Sequence, residues 1–349
     1  LPARGAGAYI ESMDTARRQP APLIDAFGRR ITYLRLSVTD RCDLRCVYCM
    51  KERPDFLPKS EVLSLEELQT VCEAFIARGV KKIRITGGEP LVRRDVMQLI
   101  ERLGARLGED GFEELSVTSN ATQLSRFAEP LHAAGVRRVN ISLDTLDRAR
   151  FHRLTRRDML DQTLAGIEAA AAAGLKLKIN AVALKDENEA ELPDLIAWAH
   201  ERGHDVSLIE IMPMGEVEAD RADQFLPLTA VRDRLEARWT LEDLPDQTGG
   251  PSRYVRIAET GGRVGFISPL TNNFCAGCNR VRVTCTGQLY GCLGRDASRD
   301  LRAALREGGP EALSAALDAA IAEKPERHEF HIARDASSGA ARDMARTGG

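Results

Sequence analysis

The sequence predicts an α/β chain: an incomplete (β/α)6 TIM-like barrel followed by a C-terminal α+β extension that carries a second cysteine cluster. Three observations carry this. Strand-like runs alternate with helix-like runs, the strands have one apolar and one polar, cationic face, and polar residues gather where the strands end. Repeated βα units with right-handed crossovers build a parallel sheet covered by helices. In βα barrels the C-terminal ends of the strands carry the site.

Residues 1–30, rich in Ala, Arg, Pro and Gly without a clear period, read as an arm with little structure of its own. Residues 31–245 form the barrel. Strands are expected at about 33–39, 82–86, 114–118, 138–142, 176–182 and 205–211, and helices at about 64–78, 93–107, 124–134, 158–173 and 189–202. Ser64 followed by Glu67 is a capping box. Gly79, Gly135, Gly174 and Gly203 each follow a helical run, where a left-handed C-cap belongs. A helix at 228–238 precedes the extension, residues 246–332. There, strands at 253–258, 263–267 and 279–284 lead to helical segments near 299–305 and 310–322. Residues 333–349 read as a flexible tail.

Alternate strand residues share a face. Arg35, Ser37 and Thr39 therefore oppose Leu34, Leu36 and Val38; Lys82, Arg84 and Thr86 oppose Ile83 and Ile85; Lys178 and Asn180 oppose Leu177 and Ile179. Strands buried under helices on both faces would be continuously apolar. A curved, open barrel with a wet cationic interior fits better. An antiparallel sheet with one solvated face is the alternative, which the intervening helices disfavour.

Composition narrows the function. The chain has 349 residues and a net charge of −3, so bulk binding to nucleic acid or an anionic membrane has no electrostatic basis, and any cationic site is local. No apolar run reaches membrane-spanning length, and no secretory signal is visible. The first residue is Leu rather than Met, which fits a trimmed or partial chain. Eight cysteines in a chain this long do not make a disulfide scaffold. Two separated clusters point instead to metal or cofactor ligation in a reducing compartment.

Cys42, Cys46 and Cys49 lie after the first strand in a C-x3-C-x2-C spacing. Three thiolates at this pitch suit a cubic iron–sulfur cluster with one iron left open. Zinc would call for a fourth ligand or a histidine. Cys275, Cys278, Cys285 and Cys292 form the later group. All four could close a zinc or iron–sulfur site; the favoured set is Cys275, Cys278 and Cys292, with Cys285 a buried bystander. Arg280, Arg282 and Thr284 share a strand face between these thiols, and guanidinium groups hold phosphates bidentately.

The first cysteine motif, with Tyr48 before its third thiol and Gly87-Gly88-Glu89-Pro90 after the next strand, resembles the radical S-adenosylmethionine superfamily. Cys275-x2-Cys278-x13-Cys292, enclosing Asn279-Arg280-x-Arg282, is similar to the GTP 3′,8-cyclase family of molybdenum cofactor biosynthesis. The resemblance runs from about Arg35 to Gly348-Gly349. It implies a lyase with two [4Fe-4S] clusters and S-adenosyl-L-methionine. A 5′-deoxyadenosyl radical would take hydrogen from C3′ of GTP, and C3′ would attack C8, giving (8S)-3′,8-cyclo-7,8-dihydroguanosine 5′-triphosphate.

By position, the resemblance implies that Cys42, Cys46 and Cys49 bind the first cluster, and Cys275, Cys278 and Cys292 the second. Tyr48, Gly88, Ser142 and Met212 match contacts to S-adenosylmethionine. Arg35, Arg84, Thr118, Lys178, Arg280 and Arg282 match contacts to GTP, and Lys82 shares the face of Arg84. The first triad, Arg280 and Arg282 form the catalytic set. The resemblance also implies a low-potential electron donor such as flavodoxin or ferredoxin, a transient handover to the next enzyme of the pterin pathway and a cytoplasmic setting. It allows a homodimer and gives no role to membrane or nucleic acid. Ser207 stands where the family often has Arg, Asn120-Ala121 where Asn-Gly is common, and Cys285 is an extra thiol. Two other readings are a different radical S-adenosylmethionine enzyme with an auxiliary cluster, and a non-catalytic iron–sulfur or zinc protein.

Overall fold

The structure, a computed structural model, describes residues 20–215, 221–245, 250–330 and 342–348. The strands are β1 (Tyr33–Ser37), β2 (Lys82–Thr86), β3 (Glu114–Ser119), β4 (Arg138–Ser142), β5 (Lys176–Ala183), β6 (Asp205–Glu210), β7 (Leu241–Asp243), β8 (Arg253–Ile257), β9 (Arg263–Ile267), β10 (Arg280–Val283), β11 (Gln288–Tyr290) and β12 (Arg299–Asp300). The helices are α1 (Leu65–Ala77), α2 (Val96–Gly104), α3 (Leu124–Ala133), α4 (Arg148–Thr155), α5 (Leu160–Ala172), α6 (Leu192–Glu201), α7 (Arg221–Gln224), α8 (Leu228–Glu236), α9 (Leu301–Ala322) and α10 (Met344–Thr347).

Among the described residues the strands form one open sheet in the order β12-β11-β10-β1-β2-β3-β4-β5-β6-β9-β8-β7. The six expected barrel strands run parallel in sequence order, as an incomplete barrel requires. The extension does not stand apart from it. β10 joins β1 and β9 joins β6, both in parallel, so the extension lengthens the barrel wall at both edges.

The apolar strand faces build the core. Leu34, Leu36, Ile83, Ile85, Val139 and Ile141 are fully buried in one cluster with Leu68, Phe75, Leu99 and Leu131 of the helices. Burying each such side chain contributes about 2 kcal/mol. The Ser64 cap is a true capping box: Ser64 Oγ accepts from Glu67 N at 3.1 Å, and Glu67 Oε2 accepts from Ser64 N at 2.7 Å. The four glycines following helical runs all have positive φ.

Several expectations need correction. Residues 20–30 are not a loose arm: Leu23 and neighbouring Ile31 are buried, and Ile24 bridges to Arg30. Residues 1–19 lie outside the described residues. The helix expected at 93–107 begins at Val96, after a 3-10 turn at Pro90–Val92. The two expected C-terminal helical segments are both present, joined end to end as α9 across a kink where Gly309 takes φ 67 before Pro310. α4, β7, β11 and β12 were not expected; each is short or carries few apolar residues. Most of the expected flexible tail lies outside the described residues, but its end carries α10, with Ala345 and Thr347 buried.

Candidate active site

The polar strand faces converge on one cavity of about 270 Å³. Strand register explains its charge. Arg35 pairs laterally with Arg84 on one side and with Arg282 on the other, and Tyr33 stands between Arg280 and Lys82. Asn140 pairs with Thr118 and Lys178. Neighbouring strands lie about 4.8 Å apart, so three guanidinium groups, the buried ones of Arg35 and Arg84 and the half-buried one of Arg282, are held side by side. Burial and Arg84 push Arg35 down to about 10, and burial with Arg35 and Arg280 pulls Arg282 well below its usual value. Arg35 Nε, Arg84 Nε and Thr118 Oγ1 are buried without a protein partner. Crowded, partly unsatisfied cations of this kind fit a polyanion.

The first thiol triad sits at the C-terminal end of the barrel wall. Cys49 N donates to Cys46 O at 2.9 Å, closing a turn, and Arg45 N and Val47 N donate to Thr155 O and Leu154 O at the C-terminal end of α4. Leu44 N lies 3.4 Å and Asn120 Nδ2 3.7 Å from Cys42 Sγ; N–H groups aimed at sulfur tune iron–sulfur clusters. Asp43 braces the loop by accepting from Asn120, Thr122 and Gln123. Burial raises the Cys42 and Cys46 thiols well above their usual value, so a cluster must displace their protons.

The glycine turn meets this loop backbone to backbone. Gly88 N donates to Thr39 O and Glu89 N to Arg41 O, each at 2.8 Å. A Cβ on Gly88 would fall 2.4 Å from Arg41 O. Glu89 is buried and accepts from Leu91 N, Ser119 Oγ and Asn120 N. Tyr48 OH donates to Asp144 Oδ2 at 2.5 Å, and Val182 N donates to Asp144 Oδ1. Gly88, Tyr48, Ser142 and Met212 all line the cavity.

The second triad faces the same cavity. Cys275 opens a 3-10 turn in which Cys278 N donates to Cys275 O at 3.0 Å, and Cys292 follows β11. Burial raises Cys278, but Arg280 and Lys324 beside it carry it down to about 7. Cys285 is fully buried away from the cavity, its carbonyl accepting from Leu63 N, and burial pushes its thiol up to about 12. The geometry thus brings all the positions named for clusters, S-adenosylmethionine and GTP around one space, with Cys285 outside it.

Other cavity residues were missed. Arg138 lines the cavity and forms an ion pair with Glu114, and Lys82 lies 3.3 Å from the same carboxylate. Arg138 begins the polar alternation of β4 and was legible. Tyr254 OH lies 3.4 Å from Lys178 Nζ. Arg282 reaches Gly348 O at 2.5 Å, bringing the chain end into the site. Ser207, at the position where the family often has Arg, makes a neutral contact with Ser252 at 3.2 Å. Ala121 takes φ 67, a left-handed backbone that costs a non-glycine residue about 1 kcal/mol.

Residues 36–199 match the Radical SAM superfamily and residues 204–330 match Molybdenum Cofactor Synthesis C. The fold is similar to that of Streptococcus suis SuiB bound to S-adenosylmethionine. The TM-score is 0.57 at 18% identity, over 82% of this chain and 68% of that one. An open parallel barrel with a thiol triad at its strand ends, matched in this way, is a radical S-adenosylmethionine protein. Closer relatives narrow the class. The GTP 3′,8-cyclase of Erythrobacter litoralis is 65% identical over 94% of this chain and 98% of its own length. That of Rhizobium meliloti is 59% identical over 94% and 95%. The chain belongs to the GTP 3′,8-cyclase family.

Proposed function

We propose that the two thiol triads and the arginine row form one reaction chamber, in which GTP is cyclised at the expense of S-adenosylmethionine. The enzyme is a lyase of molybdenum cofactor biosynthesis that uses two [4Fe-4S] clusters. Cys42, Cys46 and Cys49 hold the first cluster, and Cys275, Cys278 and Cys292 the second. With S-adenosylmethionine, the first supplies the organic radical that starts the reaction.

The chain's own residues bind, orient and exclude water. Tyr48, Gly88, Ser142 and Met212 hold S-adenosylmethionine; Asp144 fixes the Tyr48 hydroxyl. Arg35, Arg84, Arg280 and Arg282 hold the triphosphate, with Thr118 and Lys178 further along the wall. Such placement turns encounter into a near-unimolecular step. Residues 31–245 serve as the radical-generating unit and 246–332 as the substrate-side unit, and Met344 and Ala345 near the end of the tail line the chamber. A low-potential electron donor such as flavodoxin or ferredoxin supplies electrons in the cytoplasm. Product passes transiently to the next pterin enzyme, and a homodimer is compatible with this reading. No helix of the described residues is long and apolar enough to cross a membrane.

The lateral register of Arg282, Arg35 and Arg84 within the chamber carries the reading. Each buried charge-assisted contact contributes about 1.5–3 kcal/mol. Replacing Arg280 and Arg282 with Ala should therefore weaken GTP binding at least about a hundredfold. Uncoupled S-adenosylmethionine cleavage should survive. Unchanged GTP affinity in anaerobic equilibrium binding contradicts the assignment.

A further inference from the structure

Lys324 follows the last turn of α9, where an isolated lysine would ordinarily be solvated. Here its side chain turns inward and the residue is only 3% exposed. Its Nζ lies 3.6 Å from Cys278 Sγ and donates to Gly291 O, the residue before Cys292, at 2.6 Å. It therefore touches two of the three segments that carry the second thiol triad. The third is tied to the same stretch of chain. Arg29 donates to Cys275 O at 2.9 Å and to Glu326 O and Pro325 O at 2.6 Å each.

The two cations differ in charge balance. Arg29 is neutralised by the buried carboxylate of Asp25 at 2.6 Å. Among the described residues Lys324 forms no carboxylate ion pair; neighbouring Glu323 is taken by Arg299. An uncompensated buried ammonium costs several kcal/mol. Negative charge at the Cys278 sulfur is the compensation within reach.

We propose that Lys324 is a positioning residue whose charge sets the electronic state of the second cluster. Its contact with Gly291 holds the Cys292 arm in place. The proposal rests on Cys275, Cys278 and Cys292 being the second cluster's ligands. A fixed positive charge beside a ligand sulfur favours the reduced, more negative cluster, and hydrogen bonds to sulfur act in the same direction. Removing the charge should make the cluster harder to reduce.

The test isolates the second cluster in the full-length chain by replacing Cys42, Cys46 and Cys49 with Ala, and then compares Lys324→Gln with Lys324→Arg. Iron content and anaerobic redox titration followed by electron paramagnetic resonance are the readouts. Lys324→Gln should keep the cluster and lower its one-electron reduction constant at least about tenfold, about 59 mV. Lys324→Arg should restore the parent value. A Gln variant with full iron and an unmoved potential overturns the proposal, as does loss of the cluster in both variants. If only the Gln variant loses its cluster, an unmoved potential in the Arg variant supports the proposal and a shifted one overturns it. A triple-cysteine parent without iron sinks the ligand assignment instead, since it fails before Lys324 is altered.

Discussion

Glu89 is a carboxyl with no exposure, held by two backbone N–H groups and a hydroxyl. Burial wins over these donors and pushes it up from 4.5 to about 8. The folded chain thus holds this proton more tightly than the unfolded chain. The resulting stability is fully present below the unfolded value and is lost as pH rises through about 8. In Glu89→Gln that loss should disappear. Denaturant midpoints of the anaerobic protein should then fall less between about pH 5 and 8 than in the parent; equal slopes contradict the assignment. Cys285 allows a second check. Cys285→Ser should keep both clusters while costing about 1–3 kcal/mol for a buried hydroxyl. Loss of half the iron would instead make Cys285 a ligand. The cysteines, Arg35, Arg84, Lys178, Arg280 and Arg282 were legible because spacing and alternation mark them. Lys324 and Arg29 were not, because the contacts that tie them to the second triad are to backbone carbonyls and a sulfur distant in sequence.

At the scale of elements, the site depends on how closely turns approach one another. The Gly88 turn leaves no room for a methyl group against Arg41 O. Gly88→Ala should separate the glycine turn from the first thiol loop and weaken S-adenosylmethionine binding at least about tenfold, a loss of about 1.4 kcal/mol. Gly104→Ala is the matched control. Its Cβ would meet Ala134 O at 1.8 Å, between α3 and the start of β4 and away from the thiol loops, costing about 1–3 kcal/mol of stability. Affinity should be unaltered in that variant; equal loss of affinity in both contradicts a local role for Gly88. Element type followed the hydrophobic period wherever the pattern was long. It was invisible in α4, where Phe151 and Leu154 are the buried apolar residues among arginines, and in three-residue β11. The barrel's extension by β9 and β10 depends on pairings across the whole chain, which local pattern does not encode.

For the whole molecule, one sheet brings the two thiol triads and the arginine row around a single chamber. The polar faces of the strands predicted that chamber. The inward turn of residues 344–348 did not follow from composition, since Ala, Arg and Gly near a terminus read as solvated chain. The most direct test of the shared chamber is anaerobic turnover of GTP carrying deuterium at C3′. Both products should be followed by mass spectrometry. Deuterium should appear in 5′-deoxyadenosine together with a cyclised triphosphate. Unlabelled 5′-deoxyadenosine with GTP left unchanged would contradict a chamber in which the two ends act on one substrate.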